Sequence, residues 1–266
     1  KDRIGRGGGE TIKGGVMETQ EIKDHVKESS HWYDRAGKPC YTVIGKNGKE
    51  RDTTLRDARK LDLLPSVTSI IRCAAAPGLE LWKAQQVLMA ALTTDRLPDE
   101  SEADYIDRII KDSQDQSAKA RERGTWIHAV VQSGFENKPV AADDYIYYES
   151  AKKELDKHCG AVDWQCEQSF AVDRYGGKKD LEGGGYLIDI KTTEKDLADI
   201  KTWPEHAMQL AAYDYDKKNT CGILYINVNT AESKLIIIDG KEIDKGWKMF
   251  SALLDYYYAK TNLGEE

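Results

Sequence analysis

The sequence predicts an α/β fold in which a mostly helical front region wraps a small mixed sheet. Three observations predict it. Apolar residues recur at helical spacing over much of residues 55–158. Three short strand-like runs with glycine-rich turns follow between 162 and 192. A further helical stretch at 204–217 then separates them from two more such runs. With 266 residues, the chain is long enough for one large domain or two small ones, and either can bury a core.

Taken in order, residues 1–15 are rich in glycine (Gly5, Gly7, Gly8, Gly9, Gly14, Gly15) and read as a flexible tail or expression scar outside the fold. Residues 16–99 read as an N-terminal hairpin and helical region, and 100–266 as the core that carries the chemistry. Residues 41–53 alternate around Asn47-Gly48, a pair that suits a tight hairpin turn. A helix is predicted over 55–61. In the segment LPSVTSII (64–71), Ser66 is the predicted N-cap, Val67, Ile70 and Ile71 share a face, and Pro77-Gly78 ends the helix. Helices are predicted at 79–93, at about 100–135 after a loop begun by Pro98, and at about 143–158. Strands at 162–172, 176–182 and 186–192 lead to a helix at 204–217, with Pro204 suited to its first turn. Strands at 221–228 and 234–238 precede a last helix at 242–260, where Trp247, Phe250, Leu253, Leu254 and Tyr257 form one stripe. The back half therefore runs α, β, β, β, α, β.

Composition narrows the function. The longest uninterrupted aliphatic run, residues 87–92, is far shorter than the ~18 residues of a membrane span. Five cysteines without a CxxC pair argue against a disulfide scaffold or zinc ribbon and read as reduced thiols, so an intracellular, cytoplasmic location is expected. The net charge of −7 is unevenly spread: residues 1–72 carry +4 and the remainder −11. An acidic majority is compatible with DNA binding, since a metal-dependent site needs carboxylates and backbone contact needs only a local basic stripe. There is no GxxxxGK[ST] phosphate loop, so no nucleotide cofactor is expected. Nor is there a GxSxG serine-hydrolase signature.

The informative segment is DLEGGGYLIDIK (180–191). If Gly184-Gly185 form a two-residue turn, residue 183 pairs with 186 and Asp180 with Asp189. The two carboxylates then share a face, and Lys191, two residues on, lies on it as well. Like charges this close repel unless a divalent cation sits between them, and hard carboxylate ligands suit Mg²⁺ or Mn²⁺. Such a cation with a lysine beside it suits phosphodiester hydrolysis. The bare pattern [DE]-x-K occurs seven times, but only the Asp189 copy sits in an apolar strand with a second Asp across a glycine turn. An exposed charged hairpin face is the competing explanation.

With Asp180, the Asp189-Ile190-Lys191 triplet and Thr192-Thr193, the QLAAY segment at 209–213, and GTWIH at 124–128, the sequence resembles the PD-(D/E)xK nuclease superfamily. Within it, the likeness is to RecB-like exonucleases, including phage-encoded ones, and LPSVTSII resembles the front of phage and mitochondrial relatives. The likeness spans roughly residues 55–230. It implies a restriction-endonuclease-like αβββαβ core, a small mixed sheet flanked by helices with a helical N-terminal region. It further implies Asp180, Asp189 and Lys191 as catalytic, and His128, Asp180, Asp189 and Ile190 as metal-binding. Gln209, Tyr213, Arg121, Thr125 and Thr192 are the implied substrate-binding residues. A neutral His128 would ligate, so activity is expected to fall below about pH 6.5. Glu167 is read mainly as a solvated carboxylate. The nine-residue step from Asp180 to Asp189 is short for the family, and no cysteine follows Cys221, so no iron–sulfur cluster is expected.

The expected activity is a Mg²⁺- or Mn²⁺-dependent DNA exonuclease acting on free ends, with any helicase or recombination partner supplied by another chain. An endonuclease on the same core and a non-catalytic DNA-binding subunit are the alternatives. Arg56, Arg59, Lys60, Lys119, Arg121 and Arg123 are candidate phosphate contacts.

Overall fold

The computed structural model describes residues 32–75 and 77–264. The expected glycine-rich tail at 1–15 lies outside them.

The front of the chain holds short elements. Strand β1 (Trp32–Tyr33) pairs antiparallel with β4 (Leu64–Pro65). Between them lie β2 (Thr42–Ile44), β3 (Glu50–Asp52) and helix α1 (Leu55–Leu61). The β2–β3 hairpin turns around Asn47-Gly48 as expected, with the Gly45 N–H donating to Lys49 O at 2.8 Å. Ile44 pairs with Glu50, and the Gly48 N–H donates to Gly45 O at 3.0 Å. Helix α1 is capped by Thr54, which exchanges hydrogen bonds with Asp57.

Helix α2 (Val67–Ile71) starts at Ser66, whose hydroxyl accepts from the Ser69 N–H at 3.0 Å, as its position after Pro65 predicts. Its last residue is Ile71, with Arg72 as C-cap, six residues before the Pro77 expected to end it. Those two residues instead open α3 (Pro77–Thr93), consistent with proline's fitness for a first turn. Helix α4 (Glu102–Phe135), capped by Ser101, and α5 (Tyr145–Cys159) follow.

The sheet comprises β5 (Gln165–Ala171), β6 (Gly176–Gly183), β7 (Tyr186–Thr193), β8 (Thr220–Asn227) and β9 (Ser233–Ile237), in that spatial order. Only the β7–β8 pair is parallel, because α6 (Pro204–Tyr213) carries the chain across between them. That helix stops at Tyr213 rather than at 217; Asp214 caps it and accepts backbone N–H groups of the next loop. Helix α7 (Gly240–Thr261) completes the chain and buries Phe250, Leu254 and Tyr257.

Helices cover both faces of this sheet, giving a mixed α/β fold. On one face α1, α2, α6 and α7 close over Leu187, Ile223 and Tyr225, with Trp32 in the same cluster. On the other, α4 and α5 pack Ile127, Val130, Ala151 and Leu155 against Ile188, Ile190 and Leu224. Strand β7 is buried on both faces, as expected of a central strand with a parallel neighbour. Among the described residues, no helix is long and apolar enough to cross a membrane.

Candidate active site

The site forms where β6 and β7 part. Gly184 and Gly185 have φ of 57° and 82°, the doubly positive turn their sequence predicts, and Gly183 pairs with Tyr186 as that turn requires. The ladder runs through Glu182–Leu187 and Leu181–Ile188, then stops one pair short of Asp180 and Asp189. There the Asp180 side chain takes over: its Oδ2 accepts the Ile190 N–H at 2.7 Å. Thus the central residue of the Asp189-Ile190-Lys191 triplet is tied directly to the preceding strand.

Side-chain alternation slips at this point. Gly177 abuts Phe170 and Tyr213 on the α6 side of the sheet, whereas Leu181 belongs to the core on the α4 side. Residues four apart in an unbroken strand would share a face. The slip occurs opposite Glu167, since β5 pairs Cys166 with Leu181 and Gln168 with Lys179, bracketing the Glu167–Asp180 position. Glu167 has φ of 53°, a left-handed conformation that a non-glycine residue rarely adopts within a strand.

Consequently Asp180 and Asp189 approach the strand seam from different sides, not from the single face that uninterrupted pairing predicts. Asp180 turns toward α4, where His128 Nδ1 lies 3.8 Å from its Oδ2. Ligand atoms of His128, Glu167 and Asp180 all lie within 4.8 Å of one another. Glu167 is ion-paired with Lys178. Burial drives the Asp180 carboxyl well above the usual carboxylate range, and the charges of Asp189 and Glu167 push the same way, only partly opposed by Lys191 and the Ile190 N–H.

Asp189 points toward α6. Its side chain is 3 % exposed, Oδ2 lies 2.7 Å from Lys191 Nζ, and Oδ1 accepts from Gln209 Nε2 at 2.7 Å. Gln209 also accepts from Lys191 Nζ at 3.2 Å and donates to the Tyr213 hydroxyl at 3.1 Å. One helical turn separates Gln209 and Tyr213, so one face of α6 holds the triplet's acid and base together. Lys191 remains one-third exposed, open to an incoming group.

Gly124 allows α4 to reach the sheet. A Cβ there would lie 2.9 Å from Thr192 Oγ1, so only glycine permits this approach without movement. Thr192 and the half-buried Thr125 are thereby brought to the α4 side with His128. Arg121 and Lys119 are exposed on the same helix, and Arg56 and Lys60 are exposed on α1. Two other candidate phosphate contacts have structural bonds: Arg59 donates to Thr261 O at the end of α7, and Arg123 to Val228 O.

Little in the sequence points to a further pair beside the site, His206 and Tyr225. His206 Nδ1 accepts from the Trp203 N–H at 3.2 Å and lies 3.2 Å from the Tyr225 hydroxyl. Burial and the Lys191 ammonium lower the His206 pKa, so the ring is held neutral beside the lysine. Only a His at the third helical position hints at this, because the contact to Tyr225 depends on how β8 follows α6.

No protein-family model matches the chain, and no curated protein matches it. Several solved structures are similar to parts of it, including the following two. A protein from Eubacterium rectale provisionally named as an exonuclease aligns at 14 % identity and a TM-score of 0.39, over 57 % of this chain and 74 % of that one. The protein SSO0001 aligns at 15 % identity and a TM-score of 0.30, over 66 % of this chain and 86 % of that one.

Proposed function

We propose that this chain is a metal-dependent DNA exonuclease that hydrolyses phosphodiester bonds from DNA ends. The observation that carries the reading is the meeting, at the parted β6–β7 seam, of a buried Asp180 beside His128 with an Asp189–Lys191 pair held by Gln209. Burial and the charges of Asp189 and Glu167 disfavour the Asp180 carboxylate, a cost that a bound cation would relieve, and oxygen donors with one imidazole fit Mg²⁺ or Mn²⁺. His128, Asp180, Asp189 and the Ile190 backbone are the residues that would hold it. When bound, such an ion supplies Lewis acidity toward a phosphoryl oxygen.

The chain's own groups do the rest. Lys191, partly exposed and anchored by Asp189 and Gln209, donates toward the attacking water or the charge that builds on the phosphate. Thr192 and Thr125 offer hydroxyls on the α4 side, and Arg121 and Lys119 offer cations along the same helix for the DNA backbone.

The test is digestion of linear and closed circular DNA, single- and double-stranded, with Mg²⁺, Mn²⁺ or EDTA, beside Asp180→Ala. Metal-dependent loss of linear DNA, intact circles and an inert variant are expected. Cleavage of closed circles would instead assign an endonuclease on this core. DNA binding without turnover would assign a non-catalytic subunit, and a variant as active as the parent would remove the site.

A further inference from the structure

The geometry points to Glu167 as a direct ligand of the divalent cation, completing a His128–Glu167–Asp180 set on the α4 side of the sheet. This rests on the nuclease reading for its purpose, but on separate observations for its residues. The β5–β6 register sets Glu167 opposite Asp180. The left-handed backbone at Glu167 coincides with the slip in β6 that turns Asp180 toward His128. The Glu167 and Asp180 side chains are each only 14 % exposed, so the carboxylates are enclosed together rather than splayed into water.

The spacing suits a small hard ion. Two ligands at about 2.1 Å from one ion are at most about 4.2 Å apart. The three ligand atoms already fall within 4.8 Å of one another, and since adjacent ligands on an octahedral ion are about 3.0 Å apart, closure needs movement of up to about an ångström per side chain. Lys178, ion-paired with Glu167, occupies the cation's electrostatic role meanwhile, and must release the carboxylate when the ion enters. Asp189 keeps its bonds with Lys191 and Gln209, so Glu167 adds a carboxylate to the ion without drawing Asp189 away from the lysine.

Two substitutions test this with opposite signs, read by Mn²⁺ titration of the full chain using the electron paramagnetic resonance signal of free Mn²⁺. Glu167→Gln is expected to weaken Mn²⁺ binding at least tenfold. Lys178→Met, which removes the competing ammonium, is expected to tighten it several-fold. The exposed Glu149→Gln is the unchanged control, and circular dichroism confirms folding. A Glu167→Gln chain that folds and binds Mn²⁺ as tightly as the parent overturns the assignment, as does weaker binding by Lys178→Met. If the parent binds Mn²⁺ through Glu167 but digests no DNA, the nuclease reading fails and this one stands. If the parent digests DNA while Glu167→Gln binds Mn²⁺ normally, only this one fails.

Discussion

The side-chain amide of Gln209 donates to Asp189 Oδ1 at 2.7 Å, so a residue of α6 sets the orientation of a carboxylate on β7. Its oxygen accepts from Lys191 at 3.2 Å, so one side chain holds both members of the ion pair. Replacing Gln209 by Ala is expected to slow DNA digestion about 10- to 100-fold, the usual cost of losing a group that orients a functional side chain. Steady-state digestion checks this, with a thermal melt showing that the fold survives. An unchanged rate would mean the amide only fills space.

Lys191→Met keeps the length of the side chain and removes its charge. With Lys191 one-third exposed, the fold should tolerate the change. Turnover is expected to fall by about 10²-fold or more, the scale of a lost proton-transfer or charge-stabilising group. Mn²⁺ affinity is expected to be retained. A variant that digests DNA at the parental rate would exclude a catalytic role for Lys191.

Two glycines permit close approach, and their replacement separates rigid from yielding neighbours. At Gly246 a Cβ would come within 2.4 Å of the Ala207 carbonyl oxygen, where α7 crosses α6 backbone to backbone. At Gly124 the nearest atom is the Thr192 hydroxyl, at 2.9 Å, which can rotate away. Gly246→Ala is expected to cost about 3 kcal/mol or more and Gly124→Ala about 1 kcal/mol. At about 2–4 °C per kcal/mol for a chain of this class, melting curves resolve the order. Equal or reversed shifts would contradict the packing described.

His206 supplies a pH dependence. Burial lowers its pKa, and Lys191 pushes the same way against Asp189 and Glu205. A folded value below the unfolded one, near 6.5, means that the unfolded chain binds more protons between the two. The stability is therefore complete above about pH 6.5 and lost as pH falls through the folded value. The His206 ring resonance is expected to titrate below about 6.5. The melting temperature of His206→Gln should fall less on acidification than that of the parent. Titration of His206 at or above the ordinary value would refute this.

The sequence by itself determined the elements and their ends wherever local chemistry decides. Ser66 caps α2, and Gly184-Gly185 take the positive φ angles that align Gly183 with Tyr186. The apolar strand around Asp189 is central because its neighbours are apolar on both faces. Local chemistry was ambiguous at Pro77-Gly78, since proline serves a helix start as readily as it follows a helix end. What only the tertiary structure decided is how the carboxylates group. Glu167 meets Asp180 through pairing of β5 with β6, and His128 arrives because α4 closes on Thr192 at Gly124. Periodicity and turn preference act over a few residues, whereas strand register across a kink and the seating of a long helix are set by packing between distant segments. For that reason the triplet at 189–191 stood out in the sequence, while the direction in which Asp180 turns did not.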